Sequence, residues 1–318
     1  MNDFPLLLGG LVLLIAGAEL LVRSSVVIAT RLGIPSLVIG LTIVAFGTSA
    51  PEIVASVAAA LRNSPGIAVG NIVGSNITNA LLVAGAAALV APIAVSSAAL
   101  RRDGFVALLG AMVFWLICAL HALNIATGIA LLLGFAVYIV YSYLSEKRHA
   151  AIAGGTGPAE VAPQARPHPL SLPLAVMGAV AGAALLAFGG GLLIDAAVSL
   201  AERLGVSEVV IGLTIIAVGT SLPELATSML AALRGKSDIA FGNIVGSNIF
   251  NVLGIGGLTA ILSQGDVPGR LVMVDFPIMV ATTGLLLLVA VTGLRIGRRE
   301  GAALLAVFAL YVGVVWLQ

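Results

Sequence analysis

The sequence predicts an all-α integral membrane protein whose ten transmembrane helices form two inverted five-helix repeats, and three observations carry that expectation. Hydrophobic residues make up 60% of the 318 and charged residues only 9%, with a mean hydropathy of +1.17, far outside the range of an ordinary water-soluble domain. The apolar residues fall into ten runs, most of them near the roughly 20 residues a spanning helix needs. The chain also matches itself at an offset of 172 residues: Gly40 to Arg62 aligns with Gly212 to Arg234 at 15 of 23 positions, and Ala68 to Asn79 with Ala240 to Asn251 at ten of 12.

In order, the runs lie near 5–30, 34–60, 66–91, 103–121, 124–144, 170–200, 206–232, 238–262, 271–293 and 300–317. They are continuously apolar and rich in Ala, Leu and Gly, whereas barrel strands would alternate apolar and polar residues. The first run has no basic region before it and no small-residue cleavage site, so it is read as a span and not a removable signal. Five spans per half is an odd number, so the second half enters the membrane from the opposite side, and the repeat is inverted. The expected division is a first repeat over 1–145, a flexible cytoplasmic linker over 146–170 that is rich in Pro, Gly and Ala, and a second repeat over 171–318. The linker is too short for a folded regulatory domain.

The net charge of +1 gives no support to nucleic-acid binding. Its distribution is informative. With the N-terminus outside, the odd-numbered turns collect twelve Lys and Arg and the even-numbered turns only Arg62, Arg203 and Arg270. This bias places both termini on the periplasmic or extracellular face of a cell (inner) membrane. Cys118 lies within a span and reads as a small packing residue.

The chemistry resides in the repeated segments. Glu52 follows Gly47-Thr48-Ser49-Ala50-Pro51, and Glu224 follows Gly219-Thr220-Ser221-Leu222-Pro223, both inside apolar runs. A lone acid at that depth costs about 2.5 kcal/mol or more, so such residues face an interior or an aqueous cavity and mark an ion path. A buried pair with a basic residue is the bland alternative, but neither run has Arg or Lys near its acid. Pro51 and Pro223 lack an N–H, which leaves the Gly47 and Gly219 carbonyls without helical partners. Together with the hydroxyls of Thr48, Ser49, Thr220 and Ser221, they offer the oxygen mixture that hard cations prefer.

Two further stripes recur every four residues: Asn71, Ser75 and Asn79, then Asn243, Ser247 and Asn251. Ser75, Asn79, Ser247 and Asn251 are the ligand candidates. For Asn71, Asn76, Asn243 and Asn248, interhelical hydrogen bonding and a direct site role stand open.

At G-T-S-x-P-E and G-N-x-x-G-S-N, present twice, the chain resembles the cation/calcium exchanger superfamily, and most of all its prokaryotic sodium/calcium exchanger branch. The resemblance implies antiport of Na+ and Ca2+ with no cofactor and no enzymatic activity. It implies that Glu52 and Glu224 bind Ca2+ with the main-chain oxygens of Thr48 and Thr220. Na+ would use the carbonyls of Ala45 and Ala217 and the side chains of Ser49, Ser75, Ser221 and Ser247. Asn stands at both 79 and 251, where potassium-dependent members carry an acid, so the fixed charge is that of Glu52 and Glu224 alone and a K+ requirement is not expected.

Protons compete with Na+ as the coupling ion, because both glutamates can carry them. Other classes are a cation channel and an intramembrane serine protease built on Gly47-Thr48-Ser49, for which only His121 lies near a span. Asp103 and Asp275 are expected as helix N-caps. Glu19, Arg23 and Asp195 are expected at the interface, and Trp115, Trp316, Tyr138, Tyr141 and Tyr143 as packing or interface anchors.

Overall fold

The computed structural model describes residues 3–152, 171–203, 217–263 and 266–316. The first half holds α1 (Asp3–Leu32), α2 (Ser36–Thr48), α3 (Ala50–Leu61), α4 (Pro65–Val90), α5 (Ser97–Ala119) and α6 (Ile125–Ile152). The second holds α7 (Leu172–Arg203), α8 (Ala217–Thr220), α9 (Leu222–Leu233), α10 (Ser237–Leu262), α11 (Leu271–Val291) and α12 (Arg298–Trp316). Seven of these are long and apolar enough to cross a membrane alone, and α2 with α3 makes an eighth span bent by 54°. The pair α8 and α9, and α12, complete the ten. Most of the expected linker and the start of the seventh run lie outside the described residues.

The turns between spans sort onto two faces, as ten crossings require. Numbering each turn by the span it follows, turn 1 meets turn 7 where the Ser36 hydroxyl donates to Asp238 at 3.2 Å. Turn 3 meets turn 9 through a two-residue antiparallel ladder, β1 (Ile93–Ala94) with β2 (Arg295–Ile296), in which Ile93 pairs with Ile296. This ladder is a small β element that the all-helical expectation did not contain. On the other face, Ser263 of turn 8 donates to Asn63 of turn 2 at 3.4 Å, and His121 of turn 4 pairs with Asp266 of turn 8 at 2.8 Å. In each of these contacts odd meets odd and even meets even.

Glycine sets the closest approaches. The helices α1 and α7 run antiparallel along one another, and a Cβ on Gly10 would stand 2.8 Å from the Gly189 carbonyl oxygen, one on Gly17 2.9 Å from that of Gly182. The 172-residue offset relates Gly10 to Gly182 and Gly17 to Gly189, so the seam is built from repeat-equivalent residues at a seven-residue spacing. In the centre, α10 lies against the backbone of α2: a Cβ on Gly246 would come within 2.7 Å of the Leu41 Cα.

Three expectations change. Asp103 is no N-cap: it sits inside a π-helical turn (Leu100–Gly104), fully buried, while Ser96 caps the helix by accepting from the Ala99 amide at 3.0 Å. The Arg102 guanidinium grips both Asp103 oxygens at 2.7 and 2.8 Å, and Tyr138 donates to Asp103 at 3.0 Å. Asp275 likewise ends a π-helical turn (Leu271–Asp275) in helical conformation and makes no side-chain cap. The segment expected as linker from 146 begins helical, since α6 runs through Ile152 and Glu146 accepts from Arg102 at 2.7 Å.

Further π-helical turns fall at Gly40–Val44, Asn79–Val83 and Phe250–Ile255, the last two at equivalent places in the repeats. Such turns widen a helix by one residue and occur often at functional sites.

Candidate functional site

Each half interrupts a helix at its G-T-S. The helix α2 stops at Thr48, Ser49 leaves helical geometry (φ −79°, ψ 12°), and Pro51 falls in the first turn of α3, where its missing N–H costs no hydrogen bond. The second copy does the same at Ser221 (φ −86°, ψ 5°), with Pro223 in the first turn of α9. Glu52 and Glu224 therefore project from helix first turns, where the macrodipole favours an anionic group.

The breaks bring the halves together. The Ser49 hydroxyl donates to Glu224 Oε1 at 2.7 Å, and the Ser221 hydroxyl to Glu52 Oε1 at 3.5 Å. The serine of each copy thus serves the carboxylate of the other. Ser247 donates to the same Glu224 oxygen at 3.5 Å. Thr48, Ser49, Glu52, Ser75, Asn79, Thr220, Ser221, Glu224, Ser247 and Asn251 are each at most 5% exposed.

A second ring of contacts holds this centre. Asn71 Nδ2 donates to the Glu52 carbonyl at 3.3 Å and to Ser56 at 2.9 Å; Asn243 Nδ2 donates to the Glu224 carbonyl at 3.4 Å and to Ser228 at 2.9 Å. Both asparagines bridge helices, which is the interhelical one of the two roles open for them. Asn243 Oδ1 also accepts from Thr48 at 3.0 Å, and Asn76 donates to the Met279 sulfur at 3.6 Å. Ser56 and Ser228 were not singled out in the sequence, although their identity at equivalent positions, four residues after each glutamate, was a usable signal.

What remains unpartnered is chemically telling. Among the described residues, Glu52 Oε2, Glu224 Oε2, Ser75 Oγ and both side-chain polar atoms of Asn79 and Asn251 are buried without a hydrogen-bond partner, as are Asn76 Oδ1, Asn248 Oδ1 and the hydroxyls of Ser25, Thr227 and Thr259. Buried polar atoms are nearly always satisfied, so a cluster of orphaned oxygens around two carboxylates fits a cation as their missing partner. No group of three or more His, Cys, Asp or Glu side chains comes together among the described residues, so the centre's negative charge is that of the pair. The Ala45 carbonyl accepts here from the Ser49 amide at 2.9 Å and the Thr48 hydroxyl at 3.2 Å; Ala217 opens α8.

This geometry removes the protease reading. Ser49 bonds to a carboxylate, while His121 is exposed at the turn between α5 and α6 and engaged by Asp266. Glu19, expected at the interface, pairs with Arg23 and Arg234. Trp115 donates to the Val272 carbonyl at 2.8 Å, and Cys118 is buried.

Comparison with known proteins agrees with this description. The family model described as "Sodium/calcium exchanger protein" matches residues 3–144 and 174–317. CaxA of Alkalimonas amylolytica, named as an antiporter, is 42% identical over 306 residues, covering 95% of each chain. The sodium/calcium exchanger MaX1 of Methanosarcina acetivorans is 32% identical over 344 residues, covering 99% of this chain and 98% of the relative. A solved structure of the sodium-calcium exchanger NCX_Mj, soaked with 10 mM Na+ and zero Ca2+, superimposes with a TM-score of 0.80 at 30% identity over 98% of both chains.

Proposed function

The chain belongs to the sodium/calcium exchanger family of membrane cation exchangers, and from that premise we propose that it exchanges Na+ for Ca2+ by alternating access, electrogenically and without K+. The observation that supports this most is the cross-repeat pairing of Ser49 with Glu224 and Ser221 with Glu52, which leaves a buried carboxylate oxygen on each glutamate unpartnered. In this reading Glu52 and Glu224 hold Ca2+ with the main-chain oxygens of Thr48 and Thr220. Several Na+ occupy overlapping oxygens: the carbonyls of Ala45 and Ala217 and the side chains of Ser49, Ser75, Ser221 and Ser247, with Asn79 and Asn251 alongside.

Na+ and Ca2+ are similar in size, so one set of oxygens serves either, and occupancy is mutually exclusive. Two carboxylates favour the divalent ion; added neutral oxygens accommodate the monovalent one. An unpaired carboxylate crosses an apolar gate only at high cost, so only the filled site permits α1 and α7 to slide over the core. The glycine seam between those helices supports their moving as one unit. The charge bias among the turns supports a cell membrane location with both termini outside.

The test is Ca2+ uptake into vesicles with Na+, K+ and H+ gradients imposed separately. Uptake driven by a Na+ gradient at clamped pH is the expected result. Uptake driven only by a pH gradient would instead make this a Ca2+/H+ antiporter, and flux indifferent to any counter-ion would make it a channel.

A further inference from the structure

The two halves are not engaged equally with the helix pair that flanks them. The helix α1 packs extensively along α9, whereas its counterpart α7 makes little contact with α3, the counterpart of α9. Val54 on α3 is accordingly 69% exposed, while Ala226, its equivalent on α9, is half-buried. In a protein built from inverted repeats, two such arrangements are related by exchanging the roles of the halves, and pseudo-symmetry alone makes them equal in energy.

One charged contact breaks that equality. The Glu19 carboxylate on α1 accepts from the guanidinium of Arg234, the residue that follows the last of α9 as its C-cap. Arg23, one turn along α1, also pairs with Glu19, but it travels with its own helix and cannot tie α1 to anything. Applying the 172-residue offset, Arg234 corresponds to Arg62 at the end of α3, so the basic half of the contact is duplicated. The acidic half is not: Gly191 stands where Glu19's counterpart would be. The nearest acid on α7, Asp195, lies one turn further on at the equivalent of Arg23, exposed and in no ion pair among the described residues.

We infer that Glu19 and Arg234 are positioning residues of the exchange cycle, a one-sided latch that holds α1 against α9 and favours this arrangement over its inverted counterpart. The inference rests on the alternating-access reading above. The latch must open for the cycle to proceed, and because nothing equivalent forms between Gly191 and Arg62, it biases the resting population toward one face.

The full chain in lipid nanodiscs tests this by amide hydrogen exchange over 222–235 and 50–63, a readout that needs no cargo. Glu19→Gln should speed exchange over 222–235 by about two- to fivefold, the range of a partly exposed ion pair, and slow it over 50–63. Arg23→Gln should do neither. The decisive variant is Gly191→Glu, which installs the missing acid at a position where a Cβ would meet no atom within 4 Å. It should slow 50–63 and speed 222–235, and adding Arg62→Gln should cancel both effects. A merely structural contact has no means of producing that reciprocal change. Glu19→Gln that leaves both segments unchanged, or speeds both, overturns the latch, as does Gly191→Glu without the reciprocal shift. Ca2+ counterflow measured on the same wild-type preparation reports separately on the transport reading: flux without the reciprocal shift sinks only the latch. A reciprocal shift without flux sinks only the cargo assignment.

Discussion

At the scale of single residues, the two glutamates have unequal surroundings, and the inequality is testable. Glu224 accepts from Ser49 at 2.7 Å and from Ser247 at 3.5 Å, whereas the Ser221 contact to Glu52 is 3.5 Å long. A hydrogen bond to a charged group contributes about 1.5–3 kcal/mol when well formed, and far less at the limit of length. Ser49→Ala should therefore raise the half-saturating Ca2+ by about tenfold and Ser221→Ala by distinctly less, measured by isotope uptake. Either Glu52→Gln or Glu224→Gln should abolish exchange while the protein still purifies as a folded monomer or oligomer. Asn251 supplies a second test. Changing it to Asp adds a third fixed charge beside Glu52 and Glu224, which one Ca2+ no longer neutralises. Flux in that variant should become K+-stimulated; indifference to K+ would count against the charge accounting. These side chains were legible in the sequence because duplication printed each of them twice in an apolar setting. The burial of Asp103 is not legible in the sequence: besides the adjacent Arg102, its partners Tyr138 and Ser142 lie 35 and 39 residues away, and only the folded chain brings them to it.

At the scale of elements, the helix breaks were legible and the π-helical turns were not. Proline announces the interruptions at Ser49 and Ser221 through a donor it lacks. The turns at Asn79–Val83 and Phe250–Ile255 carry no such local signal, since nothing in N-A-L-L-V forbids an ordinary helix and packing decides. The seam between α1 and α7 makes a direct prediction. Gly182→Leu would drive a branched side chain into α1, where a Cβ already meets the Leu21 amide nitrogen at 2.7 Å and the Gly17 carbonyl oxygen at 2.9 Å. Transport should fall at least tenfold, an order of magnitude that one to two kcal/mol of overpacking gives, with the central helices still protected from hydrogen exchange. The cluster that joins α5 to α6 should behave differently. Arg102→Leu leaves Asp103 buried and unpaired at a cost of about 3–5 kcal/mol, whereas replacing Arg102 and Asp103 together by apolar residues should recover most of that loss in thermal unfolding.

At the scale of the whole molecule, ten crossings and an inverted repeat were readable because both depend only on the length and order of apolar runs and on an odd number of spans per half. Which half engages the flanking helices was not readable, because the choice is one of conformation, and the difference of Glu19 from Gly191 acquires meaning only once the fold sets Arg234 beside Glu19. The charge carried per cycle also belongs to this scale. The fixed charge of the site is that of Glu52 and Glu224, so one bound Ca2+ neutralises it, while about three Na+, the number family resemblance suggests, exceed it by one. On the proposed exchange, every cycle would move one net charge across the membrane, worth about 2.3 kcal/mol per 100 mV. At equilibrium, a potential of about 100 mV should shift the Ca2+ ratio across the vesicle about fiftyfold at a fixed Na+ ratio. Vesicles clamped with a K+ ionophore measure this directly, and because the site has no predicted use for K+, the clamp itself does not interfere. If the Ca2+ ratio follows the square of the Na+ ratio and ignores the potential, two Na+ are exchanged and the excess charge does not exist. A ratio that follows the cube and shifts with potential fixes both the stoichiometry and the charge of the loaded site in one measurement.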